Sequence, residues 1–363
     1  MSGQWALRRL PFVVMPAVAL TDLLAGPSLG FLPLLTLGPS FASVTGSVRR
    51  TAIAGMVALV LAVLLGAYNG VLSTWQHDLS LATIVSVTGA SMLAGHLRLR
   101  RERELADVRL VAETAQRVLL RPVPRKAADL RVALSYTSAA AGARIGGDLY
   151  EVVTTPYGVR LLIGDVQGKG LDAVETAAWV LGAFREAAYD EADLSSVGER
   201  LESSLARQLG GETFVTAIVA EVRNGCITLL NHGHPPPYLI SADGTAAALE
   251  PPAEGLPLGL GALHPERPKP SQADFREGDR ILFFTDGVIE ARDAAGDFYP
   301  LPERIGLLLA GDPQTALNAL GADLVRHTGG PLHDDAAMLL LHRPTEAHPR
   351  GAGVEPEPVH QPG

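Results

Sequence analysis

The chain has 363 residues, with 39 acidic against 30 basic side chains and a net charge of −9. Only four of the basic residues (Arg8, Arg9, Arg49, Arg50) and two of the acidic ones (Asp22, Asp78) lie in 1–96, which leaves 26 basic and 37 acidic residues and a net charge of −11 in 97–363. That balance argues against nucleic-acid binding, which needs a basic footprint, and the single cysteine, Cys226, excludes an intrachain disulfide and a cysteine-based zinc site.

The first hundred residues read as membrane. Thr51 to Gln76 and Leu79 to Gly95 carry no charged side chain. At about 1.5 Å per residue the first run is long enough for a hydrocarbon core of about 30 Å, and the second is borderline. Segments 10–25 and 30–48 are apolar but interrupted by Asp22, Pro27, Pro33 and Pro39. With four spans, the arginine pairs and "RLRRERE" at 98–104 all face the cytoplasm, and the outer loops hold no Lys or Arg. Two spans give the same cytoplasmic C-terminal part. A cleavable signal peptide has one apolar core, and here there are several.

Next comes a linker helix, 98–124. Leu105, Val108, Ala112, Ala115 and Leu119 recur at 3-4-3-4 spacing. The spacing fits a parallel homodimer stalk and equally an amphipathic helix packed on its own domain. Pro122 and Pro124 end it.

Residues 125–342 mix strands and helices. "LRVALSY" reads as a strand. "LYEVVTTPYGVRLLIGDV" reads as a hairpin turning at Pro156-Tyr157-Gly158, and "FVTAIVAEVRNGCITLLNHG" as another turning at Asn224-Gly225. Helices are expected at "LDAVETAAWVLGAFREAAY", "LSSVGERLESSLARQL" and "QTALNALGADLVRHT", with buried strands at "RILFFTD" and "AAMLLLH". Hairpins with helices in blocks predict an α+β fold of antiparallel sheets flanked by helices. The proline- and glycine-rich tail 343–363 reads as disordered.

Four aspartates share one setting, a strand end or turn beside small residues: Asp148 in "RIGGDLYE", Asp165 in "LLIGDVQG", Asp286 in "ILFFTDGVIE" and Asp334 in "LHDDAAMLLL". Buried strands that deliver carboxylates need a positive partner, and a histidine-free carboxylate cluster suits Mg²⁺ or Mn²⁺. Any one Asp-Gly is more often a plain turn; four in one domain carry the argument. "GDVQGKG" is not a phosphate-binding loop: three residues instead of four separate Gly164 from Gly168, and Gly170 follows Lys169 where Ser or Thr would hold Mg²⁺.

The order of these motifs resembles the metal-dependent type 2C (PPM) protein phosphatases, in the bacterial branch of sporulation and stress-response phosphatases that act on sigma-factor regulators. "RIGGDLYE", "LLIGDVQGKG", "FVTAIVAEV", "NHGHPPPYLI", "GLPLGL", "RILFFTDGVIEAR" and "DDAAMLLL" follow in that order over 129–342. The resemblance implies an antiparallel β-sandwich flanked by helices (α-β-β-α) and two Mn²⁺ or Mg²⁺ ions. It implies Asp165 as the bridging ligand, the Val166 carbonyl on one ion, Asp286 and Asp334 on the other, and Asp148 directly or through a water. Asp165, Asp286 and Asp148 are thereby the catalytic candidates. Glu290 matches a position for a further, weaker ion, and Arg144 is a candidate phosphate contact, with a surface ion pair the alternative. Departures include His232 in place of alanine and Gln167 where some relatives carry histidine, and Asp334-Asp335 leaves the ligand register open.

The implied activity is hydrolysis of phosphoserine or phosphothreonine by a water shared between two ions. The apolar runs and arginine placement make the chain multi-pass in the cell membrane with a cytoplasmic catalytic domain, and the resemblance implies a phosphorylated anti-sigma-factor antagonist as its partner class. Two alternatives stand beside it: a catalytically silent, membrane-anchored binding protein of the same fold, separated by Mn²⁺ titration, and a nucleotidyl cyclase, separated by incubation with GTP or ATP.

Overall fold

The computed structural model describes residues 2–25, 31–45, 47–137, 146–208, 213–263 and 267–345. The chain divides into two compact units, Met1–Val108 and Arg109–Gly363.

The first unit is helical: α1 (Ser2–Ala25), α2 (Leu37–Thr45), α3 (Val48–Tyr68) and the start of α4 (Trp75–Leu119). Small residues line its interior. Ala54, Ala58 and Ala62 recur every fourth position of α3 and are fully buried, with Met15 and Ile84 beside them. Gly55 of α3 lies so close to Thr88 of α4 that a Cβ there would meet the threonine methyl. The outer face of α3 is apolar as well: Met56, Val60 and Leu64 are exposed. Asp22, buried in this bundle, accepts a 3.0 Å hydrogen bond from the Asn69 amide. By length and composition α3 and α4 are long and apolar enough to cross a membrane, while Leu10–Leu24 and Leu32–Val44 are shorter apolar helices.

The expected linker segment, 98–124, follows the last apolar segment without a break. The last apolar segment and the linker are one helix, α4, which runs unbroken from Trp75 and stops at Leu119, before Pro122. The 3-4-3-4 seam is split. Ala112 is buried against Val174 with Ala115 and Leu119 packed alongside, whereas Leu105 and Val108 are exposed. The lower half of the seam therefore belongs to the second unit's own packing.

The second unit is built from β1 (Lys126–Ala127), β2 (Leu130–Thr137), β3 (Leu149–Thr155), β4 (Gly158–Val166), α5 (Leu171–Asp190), α6 (Leu194–Gln208), β5 (Val215–Arg223), β6 (Cys226–His232), β7 (Tyr238–Ile240), β8 (Ala246–Ala248), β9 (Ser271–Asp274), β10 (Arg280–Phe284), α7 (Asp286–Ile289), α8 (Leu301–Arg304), α9 (Pro313–Thr328) and β11 (Ala336–His342). One sheet has the order β1-β2-β11-β10-β7-β8 and the other β3-β4-β5-β6-β9. Every pairing is antiparallel. The expected hairpins are β3–β4 and β5–β6. Asn224 and Gly225 both take positive φ, the requirement of a two-residue hairpin turn.

Alternation along β10 and β11 divides the interior in two. Ile281, Phe283, Ala337, Leu339 and Leu341 join the core that holds both sheets with α5 and α6. Leu282, Phe284, Ala336, Met338 and Leu340 face the other way, into a core with Leu317, Leu320 and Leu324 of α9. A strand buried on both faces reads as a continuous apolar run. The result is the expected α-β-β-α sandwich.

Arg160 of β4 fastens the outer helices to their sheet. Its side chain is fully buried, donates to the Ala188, Glu191 and Ala192 carbonyls at the end of α5, and pairs with Glu221 at 2.6 Å.

Candidate active site

Strand register brings the carboxylates together. Leu149 of β3 pairs with Gly164 of β4, so the next position outward sets Asp148 against Asp165 at the end of the five-stranded sheet. In the other sheet Phe284 pairs with Met338, so Asp286 leaves β10 where Asp334 and Asp335 enter β11. Each sheet thus presents carboxylates where two adjacent strands end.

Thr285 ties the two sets. Its amide donates to the Ala337 carbonyl, its Oγ accepts from the Ala337 amide, and its hydroxyl donates to Asp148 Oδ2, each at 3.0 Å. Thr285 and Asp148 are both buried. Asp286 follows as the first residue of α7.

Close backbone approach explains three of the glycines. A Cβ on Gly147 would stand 2.4 Å from the Val166 carbonyl oxygen, on Gly146 2.6 Å from Asp335 Oδ2, and on Gly287 1.9 Å from the Asp335 carbonyl oxygen. The Val166 amide donates to the Gly147 carbonyl at 3.2 Å.

Asp334 and Asp335 take different environments. Asp335 is buried and accepts from the Tyr136 hydroxyl and the Gly146 amide. Gln116 of α4 donates in turn to Tyr136 Oη and the Gly146 carbonyl. Asp334 is half-exposed and pairs with Lys169 at 2.6 Å. Glu290 is exposed at the end of α7, four residues past Asp286. Arg144 lies outside the described residues.

The electrostatics are those of a site built for cations. Burial, then the charge of Asp165, holds the Asp148 carboxyl well above the usual range. Burial, then Asp286 and Asp334, pushes Asp165 up to about 7. Burial, then Glu290 and Asp334, raises Asp286. Carboxylates that repel one another this way accept a divalent cation readily. Hard oxygen donors without histidine or thiol fit Mg²⁺ or Mn²⁺. The residues therefore fit the expected ions, although among the described residues no three of these side chains close into a ligating group.

His234 lies next to the site but serves the fold. The Phe284 carbonyl can only accept, so His234 Nε2 carries the proton toward it at 3.1 Å, and Nδ1 accepts from Thr216 Oγ at 3.1 Å. Burial lowers its pKa to about 4. In a fully buried neutral imidazole whose Nε2 proton is committed to a carbonyl and whose Nδ1 accepts, no proton is free for a leaving group.

Sequence reasoning did not single out Thr285, Tyr136 or Gln116. Thr285 had a usable signal, its place directly before Asp286 at the end of an apolar strand. Nothing in the sequence links Gln116 to Tyr136.

The sandwich with a carboxylate cluster at its strand ends is the fold of the PP2C-type protein phosphatases. The SiaA-PP2C domain of Pseudomonas aeruginosa superposes with a TM-score of 0.57 at 15% identity, over 67% of this chain and 98% of that domain, which places the fold. The family model of Stage II sporulation protein E (SpoIIE) matches residues 155–344, more than half of the chain, and the chain belongs to that family of phosphatases. It is 25% identical to phosphoserine phosphatase RsbU of Bacillus subtilis (strain 168) over 244 residues, 66% of this chain and 70% of RsbU. The catalytic domain of the serine threonine phosphatase PstP, solved in complex with two manganese ions, is 18% identical with a TM-score of 0.44, over 59% of this chain and 97% of that one. For two further solved chains the match spans 61% and 63% of their length.

Proposed function

We propose that the chain is a membrane-anchored, Mn²⁺- or Mg²⁺-dependent phosphatase that removes phosphate from serine or threonine of a cytoplasmic regulatory protein. The observation that carries this reading is that Asp148 and Asp165 end one sheet and Asp286 and Asp334 the strand pair of the other, near enough that the charges of Asp286 and Asp334 act on Asp165. In this reading Asp165 would be shared by two ions, Asp148 and the Val166 carbonyl would help hold one, Asp286 and Asp334 would help hold the other, and Glu290 would hold a weaker third. When bound, the ions supply a water of lowered pKa and neutralise charge on the phosphoryl oxygens.

The chain's own residues hold that arrangement. Thr285 fixes the Asp148 carboxylate. Buried Asp335 accepts from both Tyr136 and Gly146 through Oδ2, which favours the more exposed Asp334 as the ligand. Arg144 remains the proposed phosphate contact. The apolar helices α3 and α4 support anchoring in the cell membrane, with 1–97 as the multi-pass region and 125–342 as the cytoplasmic phosphatase domain. The sequence relation to phosphoserine phosphatase RsbU supports a phosphoserine substrate, and the motif resemblance to the sigma-regulator branch suggests a phosphorylated anti-sigma-factor antagonist.

The test is phosphate release from a phosphoserine peptide by the full chain in detergent. Release should require added Mn²⁺ or Mg²⁺ and stop with EDTA, and phosphoproteomics of a deletion strain should show the substrate's phosphoserine or phosphothreonine accumulating. Metal-independent release would contradict the mechanism.

A further inference from the structure

We propose that Lys169 is a tethered cation that competes with the metal ion at Asp334. The proposal rests on the two-metal reading above and concerns a residue that reading leaves without a role.

The geometry is direct. Lys169 Nζ lies 2.6 Å from Asp334 Oδ2, a charge-assisted contact on the carboxylate assigned to one ion. Lys169 therefore places one unit of positive charge inside the cluster where an ion is expected.

The loop allows the lysine to leave. Gly168 and Gly170 on either side both have positive φ, and a Cβ added at either would meet nothing within 4 Å. The Lys169 and Asp334 side chains are 36% and 49% exposed, so water can solvate both as they part. A flexible four-carbon stem with a strongly hydrated head is suited to such exchange. An ion reaching Asp334 must displace the ammonium, so the lysine weakens that position selectively. Asp148 is buried, bonded to Thr285 and without a contact to Lys169 among the described residues, so its side of the site carries no such competitor.

Calorimetric Mn²⁺ titration of the full chain in detergent tests this. A partly exposed ion pair is worth about 1 kcal/mol at most, so Lys169→Met should tighten the weaker class of Mn²⁺ sites by up to about fivefold. Lys169→Arg, which keeps the charge, should stay within about twofold of wild type. In an Asp334→Asn background the Lys169→Met effect on the remaining ion should vanish, because the contact is already gone. Unchanged or weaker Mn²⁺ binding by Lys169→Met overturns the role of the lysine, and so does an equal gain in the Asp334→Asn background, which marks a diffuse charge effect. Absence of Mn²⁺ binding by the wild type overturns the two-metal reading itself, and the competition with it.

Discussion

The Thr285 hydroxyl donates to Asp148 Oδ2 across the gap between two sheets, while its Oγ accepts from the Ala337 amide. One short side chain thereby registers the carboxylate of one sheet against the strand pair that carries Asp286 and Asp334. Removing one partner of a buried hydrogen bond costs about 1–3 kcal/mol. Thr285→Val should lower the melting temperature and weaken Mn²⁺ binding about tenfold or more, while Thr285→Ser keeps both near wild type. Thermal melting and Mn²⁺ titration of the two variants check it.

Gly287→Ala is expected to be among the most damaging small substitutions. Its Cβ would come within 1.9 Å of the Asp335 carbonyl oxygen, a backbone atom that cannot swing aside. Overpacking of this kind costs about 1–3 kcal/mol, more where backbone must shift. A melting temperature several degrees below wild type is predicted. Gly168→Ala meets no such atom, and its cost should come from its positive φ alone.

His234 gives the fold a defined acid sensitivity. Burial lowers its pKa from the ordinary 6.5 to about 4. The unfolded chain then binds the extra proton first as pH falls. The contribution of a neutral His234 is full above about pH 6.5 and is lost progressively down to about pH 4, amounting to about 3 kcal/mol over the window. His234→Gln should be less stable at pH 8 but show a flatter decline between pH 6.5 and 4 in denaturant titrations. A parallel decline would contradict the buried neutral imidazole.

Arg160 is fully buried, with three carbonyls and Glu221 as partners. Removing one side of such a pair strands the other groups, at a cost of about 3–5 kcal/mol. Arg160→Met should unfold well below wild type. Lysine cannot reach several acceptors at once, so Arg160→Lys should recover only part of the loss. Denaturant midpoints measure both.

Much of this architecture was legible from local chemistry. Asn224-Gly225 announced the β5–β6 hairpin because only such residues take two positive φ values cheaply. The apolar run at 281–284 announced a buried strand, and the aspartates at strand ends announced the carboxylate cluster. Short strands such as β7, β8 and β9 were not foreseen, since their pairing partners, and not their composition, make them strands. The seam on α4 was ambiguous for a similar reason: helical spacing fixes which residues share a face but not what covers it, and Ala112 turned out to pack on Val174. Asp335 is the same lesson inside the site. Two adjacent aspartates look alike in sequence, and only Tyr136 and Gly146 distinguish the buried brace from the exposed carboxylate.

The central claim is that Asp165 holds the metals that hydrolyse a phosphomonoester. It is tested most directly by Mn²⁺-dependent phosphate release from a phosphoserine peptide, comparing the full chain with its Asp165→Asn variant at matched melting temperature. The account predicts release by the wild type and none above background by Asp165→Asn. Full activity in the variant would contradict it.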